Sequence, residues 1–187
     1  MVLYGARGLT AREEAHRLLE RAAGEHWGLA CLGELAREER GKPYLPGHPQ
    51  FQFNLSHSGD LALCALSCLP VGVDIQVLRP FRPGLVERSC TGEERNWLES
   101  QPDPTAAFAQ LWALKEAVGK HSGYGLPYPP SRLPVPLPPQ GSAYDPDKIY
   151  TLDGRFLRIY QGPDWRGAVC GEEAPPEKIF WSGEKKG

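Results

Sequence analysis

The chain has 187 residues, of which 41% are hydrophobic and 24% charged, with a formal net charge of -2. Those values exclude a disordered polyelectrolyte and give no global reason for nucleic-acid binding, so any anionic ligand must be held by local groups. The length allows one domain or two small halves, able to fold without disulfides or a structural metal.

In chain order, Val2 to Tyr4 reads as a short strand, and Thr10 caps a helix from Ala11 to about Gly24 with Ala15, Leu18, Leu19 and Ala22 on one face. Residues 34 to 40 read equally as strand or helix, and Gly41-Lys42-Pro43 and Pro46-Gly47 mark turns. Phe51 to Leu55 alternates as a strand and ends in a polar turn, Ser56-His57-Ser58-Gly59. The apolar run Leu61 to Leu66 and the alternating Val71 to Val77, joined around Pro70, predict a hairpin with a buried face. Thr91 and Glu94 form a capping-box pattern, and Thr105 precedes the strongest helix, Ala106 to about His121, whose apolar stripe is Ala107, Phe108, Leu111, Leu114 and Val118. Residues 127 to 146 hold eight of the 19 prolines and are expected to be irregular or polyproline II. Two strands, Phe156 to Tyr160 and Gly167 to Cys170, follow, and the charged tail from Glu172 is expected to fray.

Cys31, Cys64, Cys68, Cys90 and Cys170 contain no C-x-x-C pair, which argues against a disulfide framework and a zinc site. Leu61 to Val73, the longest uncharged apolar stretch, is too short to span a bilayer, and Arg7 follows Met1–Gly5 too closely for a signal peptide. A soluble, cytoplasmic protein without membrane or nucleic-acid partners is expected.

Asp74 and Gln76, two apart on a strand, share one face while Val73 and Ile75 share the other. Glu116 lies about 160° from the centre of the helix stripe, with Lys120 four residues on along the exposed face. If that helix lies beside the hairpin, Asp74, Gln76 and Glu116 converge as three oxygen donors suited to Mg²⁺ rather than Zn²⁺. Taken singly, each residue has a plainer reading: Asp-x-Gln as a solvated face, Glu116 with Lys120 as a helix ion pair, Ser56 and His57 as turn polarity, Lys42 as an exposed turn lysine.

Their order carries more weight. Gly41-Lys42-Pro43, Phe53-Asn54-Leu55-Ser56-His57-Ser58-Gly59, Gly72-Val73-Asp74-Ile75-Gln76 and Trp112-Ala113-Leu114-Lys115-Glu116-Ala117-Val118-Gly119-Lys120, running on to Gly123-Tyr124-Gly125-Leu126, follow one another at spacings that resemble the 4'-phosphopantetheinyl transferase superfamily, specifically its monomeric two-half type. The resemblance implies an α+β fold of two similar subdomains related by a pseudo-twofold, here an N-terminal half 1–76 and a C-terminal half 77–187. It implies a monomeric enzyme of the holo-acyl-carrier-protein synthase type, which moves the phosphopantetheine arm of coenzyme A to a serine of an apo acyl or peptidyl carrier protein and releases adenosine 3',5'-bisphosphate. By the same resemblance, Asp74, Gln76 and Glu116 hold Mg²⁺ and Lys42, Ser56 and His57 grip coenzyme A phosphates. Glu116 also takes the serine proton and Lys120 serves the leaving phosphate.

Position 76 is Gln where the family more often has Glu, so one expected ligand is neutral. The basic stretch usual near the N-terminus is short here, and Arg12 and Arg17 stand in as contacts to the 3'-phosphate. A non-catalytic module that binds coenzyme A or a carrier stays open as the alternative. Arg79, Arg82, Arg88 and Arg95 are read as contacts for an acidic carrier or as solvated charge. Arg132 to Pro139 is read as a rigid surface loop or a polyproline ligand for an aromatic groove.

Overall fold

The computed structural model describes residues 1–10, 13–123 and 128–182. Its elements are β1 (Val2–Ala6), α1 (Glu13–Trp27), β2 (Ala36–Arg37), β3 (Pro43–Tyr44), β4 (Gln52–Ser58), β5 (Leu61–Ser67), β6 (Val71–Val77), α2 (Pro83–Ser89), α3 (Gly92–Glu99), α4 (Pro104–His121), β7 (Tyr150–Leu152), β8 (Arg155–Gln161), β9 (Trp165–Gly171) and β10 (Phe180–Trp181). They build a mixed α+β fold with two four-stranded sheets, ordered β10-β1-β5-β4 and β6-β9-β8-β7, and a small β2–β3 ribbon.

Strand periodicity explains how the layers stack. In β5 every residue is buried because its two faces serve two cores. Ala62, Cys64 and Leu66 meet Ala15, Leu18, Leu19 and Ala22 of α1. Leu61, Leu63 and Ala65 meet Val71, Val73, Ile75 and Val169 of the second sheet. On that sheet's far side Leu157, Ile159, Ala168 and Cys170 pack on Phe108, Leu111, Leu114 and Val118 of α4. The order is therefore α1, first sheet, second sheet, α4. Asp74 and Gln76, opposite in phase to Val73 and Ile75, look towards the α4 side.

Several sequence expectations need correction. The hairpin partner of β5 is β4, not Val71–Val77, because β1 and β4 already occupy both hydrogen-bonding edges of β5. The chain instead passes through Pro70 into the second sheet, where β6 pairs with β9, and the proposed division at 76/77 falls inside β6. Ser56, His57 and Ser58 belong to β4, and the reversal follows at Gly59, whose φ of +58° is a conformation glycine adopts without strain. Asp103, rather than Thr105, caps α4 by accepting from the Ala106 amide at 3.0 Å. The capping box of Thr91 and Glu94 forms as expected.

Two surface segments prove to be structural. The tail does not fray at Glu172: β10 pairs in parallel with β1, and Trp181 meets Trp165 edge-on at 5.7 Å. Apolar Ile179 and Trp181, obscured by neighbouring charges, drive this return by joining the middle core. The proline segment is held by its own chain, with Leu133 buried, Val135 and Leu137 packed on the α4 core, and the Tyr144 hydroxyl donating to the Pro136 carbonyl at 2.8 Å. No helix among the described residues is long and apolar enough to cross a membrane.

Candidate active site

The site starts from a close approach of backbones. Gly72 lies against α4 where any Cβ would run into the Ala117 carbonyl and the His121 amide. This contact brings the last turn of α4 onto β6 and sets Lys120 over Asp74. The Lys120 ammonium reaches Asp74 Oδ1 at 2.6 Å, Ser56 Oγ at 3.0 Å and the Val73 carbonyl at 3.2 Å. Ser56 Oγ donates to Asp74 Oδ1 at 2.7 Å, and the Gln76 amide donates to Asp74 Oδ2 at 2.6 Å. Asp74, 3% exposed, is thus a buried carboxylate with a cation and two hydrogen-bond donors around it.

Glu116 sits one helical turn before Lys120, on the half-buried stripe of Trp112, Glu116 and Lys120 that interrupts an otherwise buried helix. The exposed face expected for this pair is therefore a cleft wall. Burial raises the Glu116 pKa, the charge of Asp74 raises it further, and Lys120 opposes both. Asp74 lies near enough for its charge to act on Glu116, and Gln76 bonds Asp74, so the residues present are hard-oxygen donors of the kind that suits Mg²⁺ with retained waters. Among the described residues no three His, Cys, Asp or Glu side chains cluster to hold a metal ion.

The raised Glu116 pKa has a stability consequence. Holding an acid above its ordinary value of 4.5 makes its ionisation oppose folding, so the associated stability is complete below 4.5 and lost as pH rises through the folded value. Glu116→Gln is accordingly expected to raise the melting temperature of the metal-free chain at neutral pH, and paired melts should show the gain vanishing in acid.

The residues expected to grip phosphate divide between two places. Alternation along β4 sends Ser56 to the Asp74 cluster and His57 to the other face. His57 opens into a cavity of about 260 Å³ lined also by Ala15, His16, Leu35, Arg37, Pro43 and Leu55. Lys42 is half-buried, its ammonium 3.5 Å from the Val71 carbonyl; burial lowers its pKa and Glu38 opposes the shift. Arg17 is exposed on α1 and does not line the cavity, and Arg12 lies outside the described residues. The nitrogen-bearing side chains that do line it, His16 and Arg37, were missed, although His16 is next to Arg17 and Arg37 lies in the segment whose structure the sequence left open.

Lys115 was also missed. It is 1% exposed and pairs with Glu94 at 2.7 Å, donating as well to the carbonyls of Pro130 at 2.9 Å and Leu133 at 3.2 Å. All three ammonium protons are used, and α3, α4 and the proline segment are tied together beside Glu116. Glu94, read as a cap alone, does both jobs. A groove of about 440 Å³ leads away from Gln76, with Phe81, Leu85, Phe108 and Trp112 on its walls and Arg79 and Arg82 at its rim. Arg88 and Arg95 are exposed and do not line it.

Comparison with known proteins bears on this arrangement. Residues 70–170 match the model of the 4'-phosphopantetheinyl transferase superfamily. A 4'-phosphopantetheinyl transferase of Bacillus subtilis is 34% identical over 172 residues, spanning 85% of this chain and 75% of that protein. The 4'-phosphopantetheinyl transferase Sfp of Bacillus subtilis strain 168 is 32% identical over 138 residues, 71% of this chain and 60% of its own length. The L-aminoadipate-semialdehyde dehydrogenase-phosphopantetheinyl transferase of Homo sapiens is 33% identical over 149 residues, 70% of this chain and 47% of that protein. Both the matched region and the relative covered over most of its length lead to one conclusion: the chain belongs to the 4'-phosphopantetheinyl transferase superfamily.

Proposed function

We propose that the chain transfers the 4'-phosphopantetheine arm of coenzyme A to a serine of an apo acyl or peptidyl carrier protein, as a Mg²⁺-dependent, monomeric enzyme of the holo-acyl-carrier-protein synthase type. The observation that carries this reading is the meeting of Asp74 from β6 and Glu116 from α4 around Lys120. Asp74, Gln76 and Glu116 would hold Mg²⁺, which supplies charge neutralisation for a diphosphate and its leaving group. Lys42, Ser56 and Lys120 would supply the cations and hydroxyl that bind the phosphates. His57, with His16 and Arg37 in place of Arg12 and Arg17, offers the far end of coenzyme A a cavity with hydrogen-bonding side chains, one arginine charge and apolar walls.

The serine hydroxyl of the carrier attacks the β-phosphorus of coenzyme A, and Glu116 takes its proton. A carboxylate with a raised pKa is the better base near neutrality. The bond to the α-phosphate oxygen breaks, and Lys120 stabilises the charge left on adenosine 3',5'-bisphosphate. The groove beside Gln76 offers apolar walls and the Arg79 and Arg82 charges to an acidic carrier. Two four-stranded sheets, each with a covering helix, support an organisation of two related halves, with β10 returning to the first sheet and β6 opening the second. Five free cysteines suit a reducing, cytoplasmic setting.

Incubation with coenzyme A, Mg²⁺ and a panel of apo carriers should add one phosphopantetheine mass to a carrier serine; coenzyme A binding without transfer across the panel would favour a non-catalytic module instead. In the same system Gln76→Glu restores a third charge. It is expected to tighten Mg²⁺ about 10-fold in calorimetric titration, roughly 1.4 kcal/mol.

A further inference from the structure

The free edge of β6 carries an inference beyond the catalytic residues. β9 occupies one edge of β6, so the N–H groups of Val73, Ile75 and Val77 point the other way, towards β4. β4 is not hydrogen-bonded to β6 as a strand, since it belongs to the first sheet. Its alternate side chains do the bonding instead. Asn54 Oδ1 accepts from the Val73 amide at 2.9 Å, Ser56 Oγ from Ile75 at 3.4 Å and Ser58 Oγ from Val77 at 3.0 Å. The Val71 and Val73 carbonyls on the same edge receive the ammonium groups of Lys42 and Lys120. This is a side-chain ladder between two sheets, with Asn54 and Ser58 only 5% and 7% exposed.

Ser56 is already part of the site, and the outer rungs touch no reacting group. Asp74 lies between the amides held by Asn54 and Ser56, and Gln76 between those held by Ser56 and Ser58. Resting on the transferase reading above, we infer that Asn54 and Ser58 are positioning residues, setting the height and rotation of the metal-side strand β6 against the phosphate-side strand β4. Without them, coenzyme A and Mg²⁺ each still find their own strand, but the two half-sites no longer meet in register. The quantity the rungs control is the coupling between the two ligands.

The test is a binding cycle on the full chain: coenzyme A affinity by calorimetry, with and without saturating Mg²⁺, for wild type, Asn54→Leu, Ser58→Ala and the conservative Ser58→Thr, alongside hydrogen exchange at the Val73 and Val77 amides. In wild type, Mg²⁺ tightens coenzyme A. Asn54→Leu and Ser58→Ala are expected to lose about 10-fold of that coupling, within the usual range of such effects, with metal-free coenzyme A affinity nearly unchanged and the facing amide deprotected. Ser58→Thr, which keeps the hydroxyl acceptor, restores coupling and protection. Full coupling in both truncated variants despite lost protection overturns the positioning role and leaves the transferase reading intact. No Mg²⁺ effect on coenzyme A in wild type overturns the positioning role, while modification of an apo carrier decides the transferase reading separately. If Asn54→Leu does not fold, the Ser58 pair decides.

Discussion

Asp74→Asn is expected to reduce transfer to an apo carrier by about 10²–10³-fold, the range seen when a single electrostatic contact at a reacting centre is removed. The substitution keeps size and most hydrogen bonds, so what it takes away is charge. Asp74 is where Lys120, Ser56 and Gln76 converge, with Oδ1 serving the first two and Oδ2 the third. Without the carboxylate, Lys120 loses its counterion and Glu116 becomes the only anionic donor of the proposed Mg²⁺ set. The accompanying stability loss is held to about 1–3 kcal/mol because Lys120 is partly solvated and Asn still bonds Ser56. Turnover, Mg²⁺ titration and thermal melts on the same sample separate the effects. Turnover near the wild-type rate would remove Asp74 from the chemistry and with it the proposed mechanism.

Gly72→Ala is expected to be strongly destabilising. The added carbon meets backbone on the facing helix, the Ala117 carbonyl and the His121 amide, and no rotamer change relieves that collision. Either α4 lifts from β6 or the strand twists away, and both separate Lys120 from Asp74. The expected stability loss is about 2–3 kcal/mol, a fall of roughly 4–12 °C in melting temperature for a chain of this size. Transfer should fall even where the protein stays folded, because the residues proposed to hold metal and to accept the proton are moved apart. Gly84→Ala is the matched control, since nothing lies within 4 Å of its added carbon and it sits in α2, where Ala is the better helix former. Equal melting temperatures and turnover for the two variants would show that the contact at Gly72 positions nothing.

Much of this protein was readable from local pattern. Alternation in Val71–Val77 separated Asp74 and Gln76 from Val73 and Ile75, and the helical period grouped Glu116 with Lys120, because those periods are properties of the backbone itself. The capping box at Thr91 was legible for the same reason. The order of four short motifs pointed to the family before any fold was known.

What stayed hidden depends on which surfaces meet. β5 reads as half of a hairpin with β6 until both its edges are found occupied, and Ser56–Ser58 reads as a turn until β6 supplies amides for polar side chains to bond. Lys115 reads as one more helix charge until Glu94 and two carbonyls from the proline segment close over it. His57 parts from its neighbour Ser56 because adjacent strand residues point to opposite faces, and only the placement of α1 and β3 gives His57 a cavity with His16 and Arg37. The sequence by itself determined the main strands and helices, the alternation of faces along them and the family, since these follow from backbone periods and motif order. The tertiary structure alone decided which faces meet, because that choice is made by long-range burial and by the need to satisfy every buried polar group at once.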